Sequence, residues 1–251
     1  MFKTETYTGR RKRLHNKIDS GLLLFLGNDE SPMNYADNPF HYRQDSSFLY
    51  FFGLNFAGLI GVIDIDSGKD ILFGNDLTVE DIVWMGTQAS LAERCQKVGI
   101  QNVKPLDELK GYLTEAKHLG RKIHFLPPYR AEHTIKLFDL LGTIPSEAAQ
   151  SSSIEFITAV VEQRNTKSEE EIAEIERAVD ITADMHLTAY KMARPGITEA
   201  RIAAAVHEVA LAAGGDLAFP IIATIHGETL HNHYHGNELK SGDMFLLDAG
   251  A

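Results

Sequence analysis

Apolar positions along the first half of the chain come in short blocks that switch between two spacings. Leu22-Leu23-Leu24-Phe25-Leu26, directly after Gly21, is an unbroken apolar run and predicts a buried strand. Phe48 to Phe52 is a second apolar run. Leu59 to Asp66 and Asp70 to Phe73 flank Ser67-Gly68-Lys69, a hairpin signal. Gln88 to Val98, Asp107 to His118 and Glu132 to Leu141 have helical periodicity. Lys122 to Leu126 reads as another strand, closed by Pro127-Pro128. Strands alternating with helices predict an α/β layer with a mixed sheet.

The pattern changes near Ser146 to Ser153. Ile154 to Gln163 predicts a helix that breaks at Arg164-Asn165-Thr166-Lys167. Ser168 with Glu171 is a capping box, in which the hydroxyl accepts from the backbone three residues on and the carboxylate reaches back. Ile172, Ile175, Val179 and His186 then share one helical stripe. Arg194-Pro195-Gly196 stops this helix, and Thr198 is placed to cap the next. Ile202, Val206 and Val209 point inward along that helix, and Gly214-Gly215 ends it. A boundary at about residue 160 gives a first domain over 1–160 and a second over 161–251. Met244 to Leu247 is an apolar strand, and a strand buried on both faces needs neighbours on both edges. Few segments after the helices could supply them. The expectation is that the chain is the N-terminal portion of a longer protein.

Composition narrows the function classes. The chain has 251 residues, 44% hydrophobic and 24% charged, which suits a globular protein with a substantial core. A formal net charge of −11 argues against a nucleic-acid partner, because phosphate-backbone binding depends on lysine and arginine. Cys95 is the only cysteine, which fits a reducing compartment. No segment offers the roughly 20 apolar residues needed to span a bilayer. The polar N-terminus lacks the apolar core of a signal peptide. A cytoplasmic location with no membrane partner is expected. The basic run Arg10-Arg11-Lys12-Arg13 is expected to form the solvated face of a first helix, Thr8 to Lys17.

Candidate chemistry gathers after residue 225. His226, His231, His233 and His235 lie close together, and in an extended segment 231, 233 and 235 share a face. Such imidazoles could hold Zn²⁺ or Mn²⁺, or one of them alone could act on a substrate. The bland reading is a polar loop of solvated or backbone-bonded histidines. Asp248 follows the apolar run Met244-Phe245-Leu246-Leu247. A carboxylate there is either metal-bound, paired, or a turn opener before Gly250. Trp84, the only tryptophan, fits core or interface packing better than chemistry on its own evidence. Arg43, between apolar stretches, is expected to organise a loop by pairing with Asp45 or a neighbour.

Taken in order, these pieces resemble the Xaa-Pro aminopeptidases (aminopeptidase P) of the creatinase/prolidase/methionine aminopeptidase "pita-bread" superfamily. Tyr42-Arg43-Gln44-Asp45-Ser46-Ser47-Phe48-Leu49-Tyr50-Phe51-Phe52-Gly53 is similar to the family's N-terminal-domain signature. Trp84-Met85-Gly86 resembles its Trp-Thr-Gly element. Arg164 with Lys167-Ser168 and Glu171-Ile172 resembles the hinge into the catalytic domain. Pro195-Gly196-Ile197-Thr198-Glu199 resembles the turn between its first two helices. Phe219-Pro220-Ile221-Ile222, His231, Gly242-Asp243 and Asp248-Ala249-Gly250 follow in the family's order.

The resemblance implies a creatinase-like mixed-sheet N-terminal domain and the beginning of a pita-bread α/β catalytic domain. It implies that Asp248 is the first aspartate ligand of a dinuclear site. His231 would be the active-site histidine that contacts substrate. Trp84 would bind substrate by reaching a neighbouring subunit's site in a homo-oligomer, a dimer or tetramer. The cofactors implied are two divalent ions, Mn²⁺ ahead of Zn²⁺ or Co²⁺, which activate a bridging water. The partners implied are proline-containing peptides, cleaved before a proline in second position. The second aspartate, the histidine ligand and the two glutamate ligands of the family have no counterpart here. The 251 residues alone are therefore expected to be inactive. Alternatives are a prolidase acting on Xaa-Pro dipeptides, and a non-catalytic binding protein of the same fold, as in the large subunit of the histone chaperone FACT. A metallohydrolase of the amidohydrolase or β-lactamase type would want an Asp-His soon after His231-x-His233. Tyr234-His235-Gly236 does not supply it.

Overall fold

A computed structural model describes residues 1–251, which fall into two compact units, Met1–Thr166 and Lys167–Ala251. The expected boundary at about 160 lies inside a helix, Ile154–Asn165, that belongs to the first unit. Its Phe156, Ala159 and Val160 are buried in the first unit's core, which a composition shift at 146–153 does not reveal.

In chain order the first unit contains α1 (Thr4–His15), β1 (Leu22–Leu26), α2 (Ser46–Phe52), β2 (Ile60–Asp64) and β3 (Lys69–Phe73). It continues with α3 (Val79–Met85), α4 (Leu91–Gln96), β4 (Asn102–Lys104), α5 (Glu108–His118), β5 (Ile123–Phe125) and α6 (Ala131–Leu141). A short 3-10 turn, Pro145–Glu147, leads to α7 (Ile154–Asn165). The sheet order is β4-β3-β2-β1-β5. β1–β2 and β2–β3 are antiparallel, whereas β1–β5 and β3–β4 are parallel, so the sheet is mixed as the alternation predicts. Both faces are covered. Leu23, Phe25, Ile63 and Leu72 meet Phe48, Phe51, Phe52 and Phe156 on one side. Leu22, Leu24, Val62 and Phe73 meet Leu109, Leu113 and Leu137 on the other. Burial of both sets explains why β1 is apolar at every position rather than alternating.

The Phe48–Phe52 run is helical because Asp45 accepts a hydrogen bond from the Phe48 N–H at 2.8 Å and caps α2. Gly53 ends α2 at φ 67°, and an added Cβ would lie 2.4 Å from the Tyr7 ring. The preceding loop is organised by Gln44 more than by Arg43. The buried Gln44 amide accepts from the backbone N–H of Asn28 and of Asp45. It donates to the carbonyls of Leu54 and Phe56. Arg43 itself is exposed.

The basic run departs from expectation. Lys12 and Arg13 are solvated, but Arg10 and Arg11 are buried. Arg11 donates to Asp70 at 2.6 Å and to the carbonyls of Phe51 and Val98 at 2.8 Å. Arg10 donates to Tyr50 O at 2.8 Å and stacks 3.8 Å from the Tyr50 ring centroid. A helix with a one-sided charge run usually turns it to water. Here the guanidiniums satisfy the C-terminal carbonyls of α2 and the turn after α4, partners that only the tertiary fold brings close.

The second unit contains α8 (Glu169–Met192), α9 (Glu199–Ala212), β6 (Ile222–Thr224) and β7 (Leu246–Asp248). The Ser168–Glu171 capping box forms as expected. Met185, Ala189, Ile202, Val206, Ala210 and Ala223 make its core. The Ile172–Ile175–Val179 stripe does not enter it, each residue being about half exposed. The core faces the C-terminal half of α8, where α9 crosses. β6 and β7 form a two-stranded antiparallel ladder that pairs Ile222 with Asp248 and Thr224 with Leu246. No helix is long and apolar enough to cross a membrane.

Candidate functional site

Asp248 closes β7 opposite Ile222, so a hydrogen-bonded ladder fixes its backbone. The residues after it are tied down as well. His186 on α8 donates from Nε2 to the Ala249 carbonyl at 3.2 Å. The Thr182 hydroxyl accepts from Ala251 N–H at 3.1 Å, and Ala218 N–H donates to Gly250 O at 2.9 Å. The Asp248 side chain is exposed and has no hydrogen bond or ion pair. It is a rigidly mounted carboxylate with its oxygens unengaged.

His231 lies in the turn after β6, with its ring exposed and unpaired. The loop around it is well tied. His226 N–H and the Asn232 side-chain amide both donate to Thr224 Oγ1, at 3.0 and 3.1 Å. Asn232 Oδ1 accepts from Tyr234 N–H at 3.1 Å. His226 Nδ1 sits 3.1 Å from Glu228, an exposed local pair. His235 Nε2 donates to the Ile221 carbonyl at 3.2 Å. With His207, His233 and His235 line a shallow hollow floored by Ala200, Ala203, Ala204 and Ile221, which Asp248 does not line. The 231/233/235 triplet therefore forms no metal group. Its segment is not a strand, and of its three rings only that of His235 has a backbone partner, the Ile221 carbonyl.

The N-terminus of α9 explains how this loop is held. Thr198 occupies the N-cap position but makes no side-chain capping bond. The first N–H groups of α9 go instead to the histidine loop: Glu199 to Asn237 O at 2.9 Å and Ala200 to His235 O at 3.0 Å. Sequence reasoning missed Glu199, whose side chain is wholly buried. Its Oε1 accepts from Ile225 N–H at 2.8 Å, and its Oε2 from Asn237 N–H at 3.1 Å. The Asn237 amide donates to both oxygens, at 3.1 and 3.0 Å. Burial pushes this carboxyl's pKa up. The bonds from Ile225, from the Asn237 side chain and backbone, and from Thr224 outweigh burial and hold it below the usual glutamate range. The only sequence signal was its place directly after Thr198 in the Pro-Gly turn.

Trp84 lies in the first unit on α3, capped by the Thr78–Asp81 box. It is 82% exposed, so the packing role expected from its residue type is not made within this chain. Val79, Val83 and Met85 on the same helix are also exposed, and α3 buries none of its residues.

Nowhere in the chain do three or more His, Cys, Asp or Glu side chains group so as to hold a metal ion. Asp248 has the chemistry of one ligand, but a catalytic metal needs about three protein ligands. The residues present do not fit a dinuclear centre.

Comparison with known proteins locates these features. Residues 7–124 match the model for the aminopeptidase P N-terminal domain, and residues 173–251 match metallopeptidase family M24. The Xaa-Pro aminopeptidase of Escherichia coli (strain K12) is 27% identical over 266 residues, covering 98% of this chain and 58% of the relative. The human Xaa-Pro dipeptidase is 25% identical over 256 residues, covering 96% of this chain and 50% of the relative. Among solved structures, a zinc-substituted E. coli aminopeptidase P in complex with product superposes with a TM-score of 0.83 at 25% identity, covering 99% of this chain and 59% of that one. The low-pH form of the same enzyme gives 0.83 over 100% of this chain and 59% of that one. The chain thus spans between half and three-fifths of the length of these relatives. A mixed-sheet unit of the aminopeptidase P type, followed by the α8–β7 portion of an M24 domain, makes the chain a member of the aminopeptidase P, pita-bread family of metallopeptidases.

Proposed function

We propose that these residues belong to a metal-dependent aminopeptidase that releases the N-terminal residue from peptides with proline in second position. The observation that carries the reading is the unengaged, ladder-fixed carboxylate of Asp248, preceded by His231 in a clamped loop. Asp248 is a metal ligand and holds its place without help from a counter-ion. His231 contacts substrate and offers a hydrogen bond to it or to oxyanion charge as that charge develops. Trp84 supplies an exposed aromatic surface, suited to the site of a second copy in a homo-oligomer. The location is cytoplasmic. Manganese is the expected ion, with zinc or cobalt as substitutes. A polypeptide of these 251 residues alone is inactive, because it holds one ligand rather than a site.

Prolidase activity is the second reading, supported by similarity to the human Xaa-Pro dipeptidase. The test compares two substrates in the intact protein as its gene encodes it, supplied with Mn²⁺. Release of the first residue from an Xaa-Pro-Xaa tripeptide, lost in Asp248→Asn, supports the aminopeptidase. Cleavage of the Xaa-Pro dipeptide alone supports the prolidase. Cleavage of neither, with correct folding, overturns both and leaves a binding protein of this fold.

A further inference from the structure

The 225–237 segment between β6 and β7 has little regular structure, yet it carries His226, His231, His233 and His235. Its two ends meet on one group. Ile225 at the start and Asn237 at the end both donate to the buried Glu199 carboxylate. Its oxygens are held by the amides of Ile225 and Asn237 and by the Thr224 hydroxyl, all neutral donors, and no ion pair involves it. Thr224, also fully buried, gathers the His226 N–H and the Asn232 amide on its hydroxyl oxygen. Asn232 is the neighbour of His231. A continuous polar network therefore links the first turn of α9 to the residue beside the substrate-facing histidine.

Loop closure could have been left to the two backbone bonds from α9 to Asn237 and His235. A buried charge is a costly addition, and its desolvation is offset only when its donors are arranged around it. The arrangement seen here puts those donors where the histidine loop leaves β6, at Thr224 and Ile225, and where it ends, at Asn237.

We propose that Glu199 is a positioning residue: its carboxylate clamps Ile225 and Asn237 together and thereby sets where the loop presents His231. The functional half of this statement rests on the reading of His231 as the substrate-facing histidine. The clamp itself does not.

The test uses the 251-residue chain, amide hydrogen exchange and the ring C–H spectrum of His231, assigned with His231→Gln. Glu199→Gln keeps the volume but turns one acceptor into a donor facing donors. It is expected to speed exchange at Ile225 and Asn237 by about 10- to 100-fold relative to the α8 amide of Met185, and to shift the His231 ring signal. Asn237→Asp sets two carboxylates face to face and is expected to do more damage. Glu199→Gln with Asn237→Asp restores an amide–carboxylate pair and is expected to recover part of the loss. Val206→Ala, in the core of the same unit, should lower protection evenly and leave the His231 signal in place. Asn237→Ala removes only the side-chain donors, and it carries the test if Glu199→Gln does not fold. Even loss across the unit in Glu199→Gln, with the His231 signal unmoved, would overturn the clamp. So would a double variant no better than Asn237→Asp alone. Peptidase assays on the intact protein do not enter these outcomes, so failure of the catalytic reading and failure of the clamp are told apart.

Discussion

The two units use the same local devices to different ends. In the first, a five-stranded sheet is covered on both faces, and its buried charges find partners within the unit: Arg11 with Asp70, Asp64 with Arg121 and Tyr112. In the second, a two-stranded ladder leaves Leu246 at 40% exposure, and the N-terminal half of α8 shows its apolar stripe. Capping boxes and glycine stops are equally well formed in both. Local signals therefore secure the elements, but only the number of packed neighbours decides how much apolar surface they bury. The candidate chemistry lies in the less enclosed unit, where two devices stand in for a deep core: the ladder behind Asp248 and the Glu199 clamp.

The largest effect that would sharpen this contrast is loss of Arg11. Arg11→Met leaves the carbonyls of Phe51 and Val98 without this donor and leaves Asp70 with His15 as its remaining side-chain partner. Urea unfolding followed by circular dichroism is expected to show a loss of about 3–5 kcal/mol. A loss below about 1 kcal/mol would mean that the buried guanidinium is incidental. Next is Gly61→Ala. An added Cβ would lie 2.3 Å from the Phe52 ring, so overpacking should cost about 1–3 kcal/mol by the same measurement.

Acidification should then weaken the first unit gradually. His124 donates from Nε2 to Ser20 O at 3.2 Å and accepts from the Ser153 hydroxyl at 2.7 Å, a pattern suited to the neutral ring. His133 donates to Gly27 O at 3.1 Å. Burial holds both pKa values below the ordinary histidine value. The unfolded chain therefore takes up protons first. Stability is full above the ordinary value of about 6.5 and declines as pH falls below it toward the folded-state values. Thermal unfolding between pH 8 and 5 checks the sign, and a midpoint that rises on acidification contradicts it. The smallest effect is expected at Ile175→Gln on α8. Its side chain is about half exposed, so stability should change by less than about 0.5 kcal/mol. A larger loss would show that the stripe is covered in solution and would weaken the contrast between the units.

Much of this fold could be read from the residues. The hairpin about Gly68, the strand after Gly21, the Ser168–Glu171 box and the stop at Pro195-Gly196 all follow from chemistry within a few positions. What could not be read depends on distant partners. Arg10 and Arg11 look like solvated charges until α2 and the turn after α4 bring carbonyls to them. Thr198 looks like a cap until the histidine loop supplies Asn237 O and His235 O in its place. Glu199 has the appearance of an ordinary helix-start acid, and only the meeting of residues 225 and 237 reveals its role. Motif order singles out Asp248 and His231 as candidates, whereas the groups that hold their backbone and loop are not legible in it.

The central claim is that these residues contribute one metal ligand and one substrate-facing histidine to a peptidase site without forming the site themselves. The most direct measurement is hydrolysis of an Xaa-Pro peptide by the purified 251-residue polypeptide with Mn²⁺ added. The expected result is no release of the first residue above a metal-free control. Manganese-dependent release that disappears in Asp248→Ala would contradict the account.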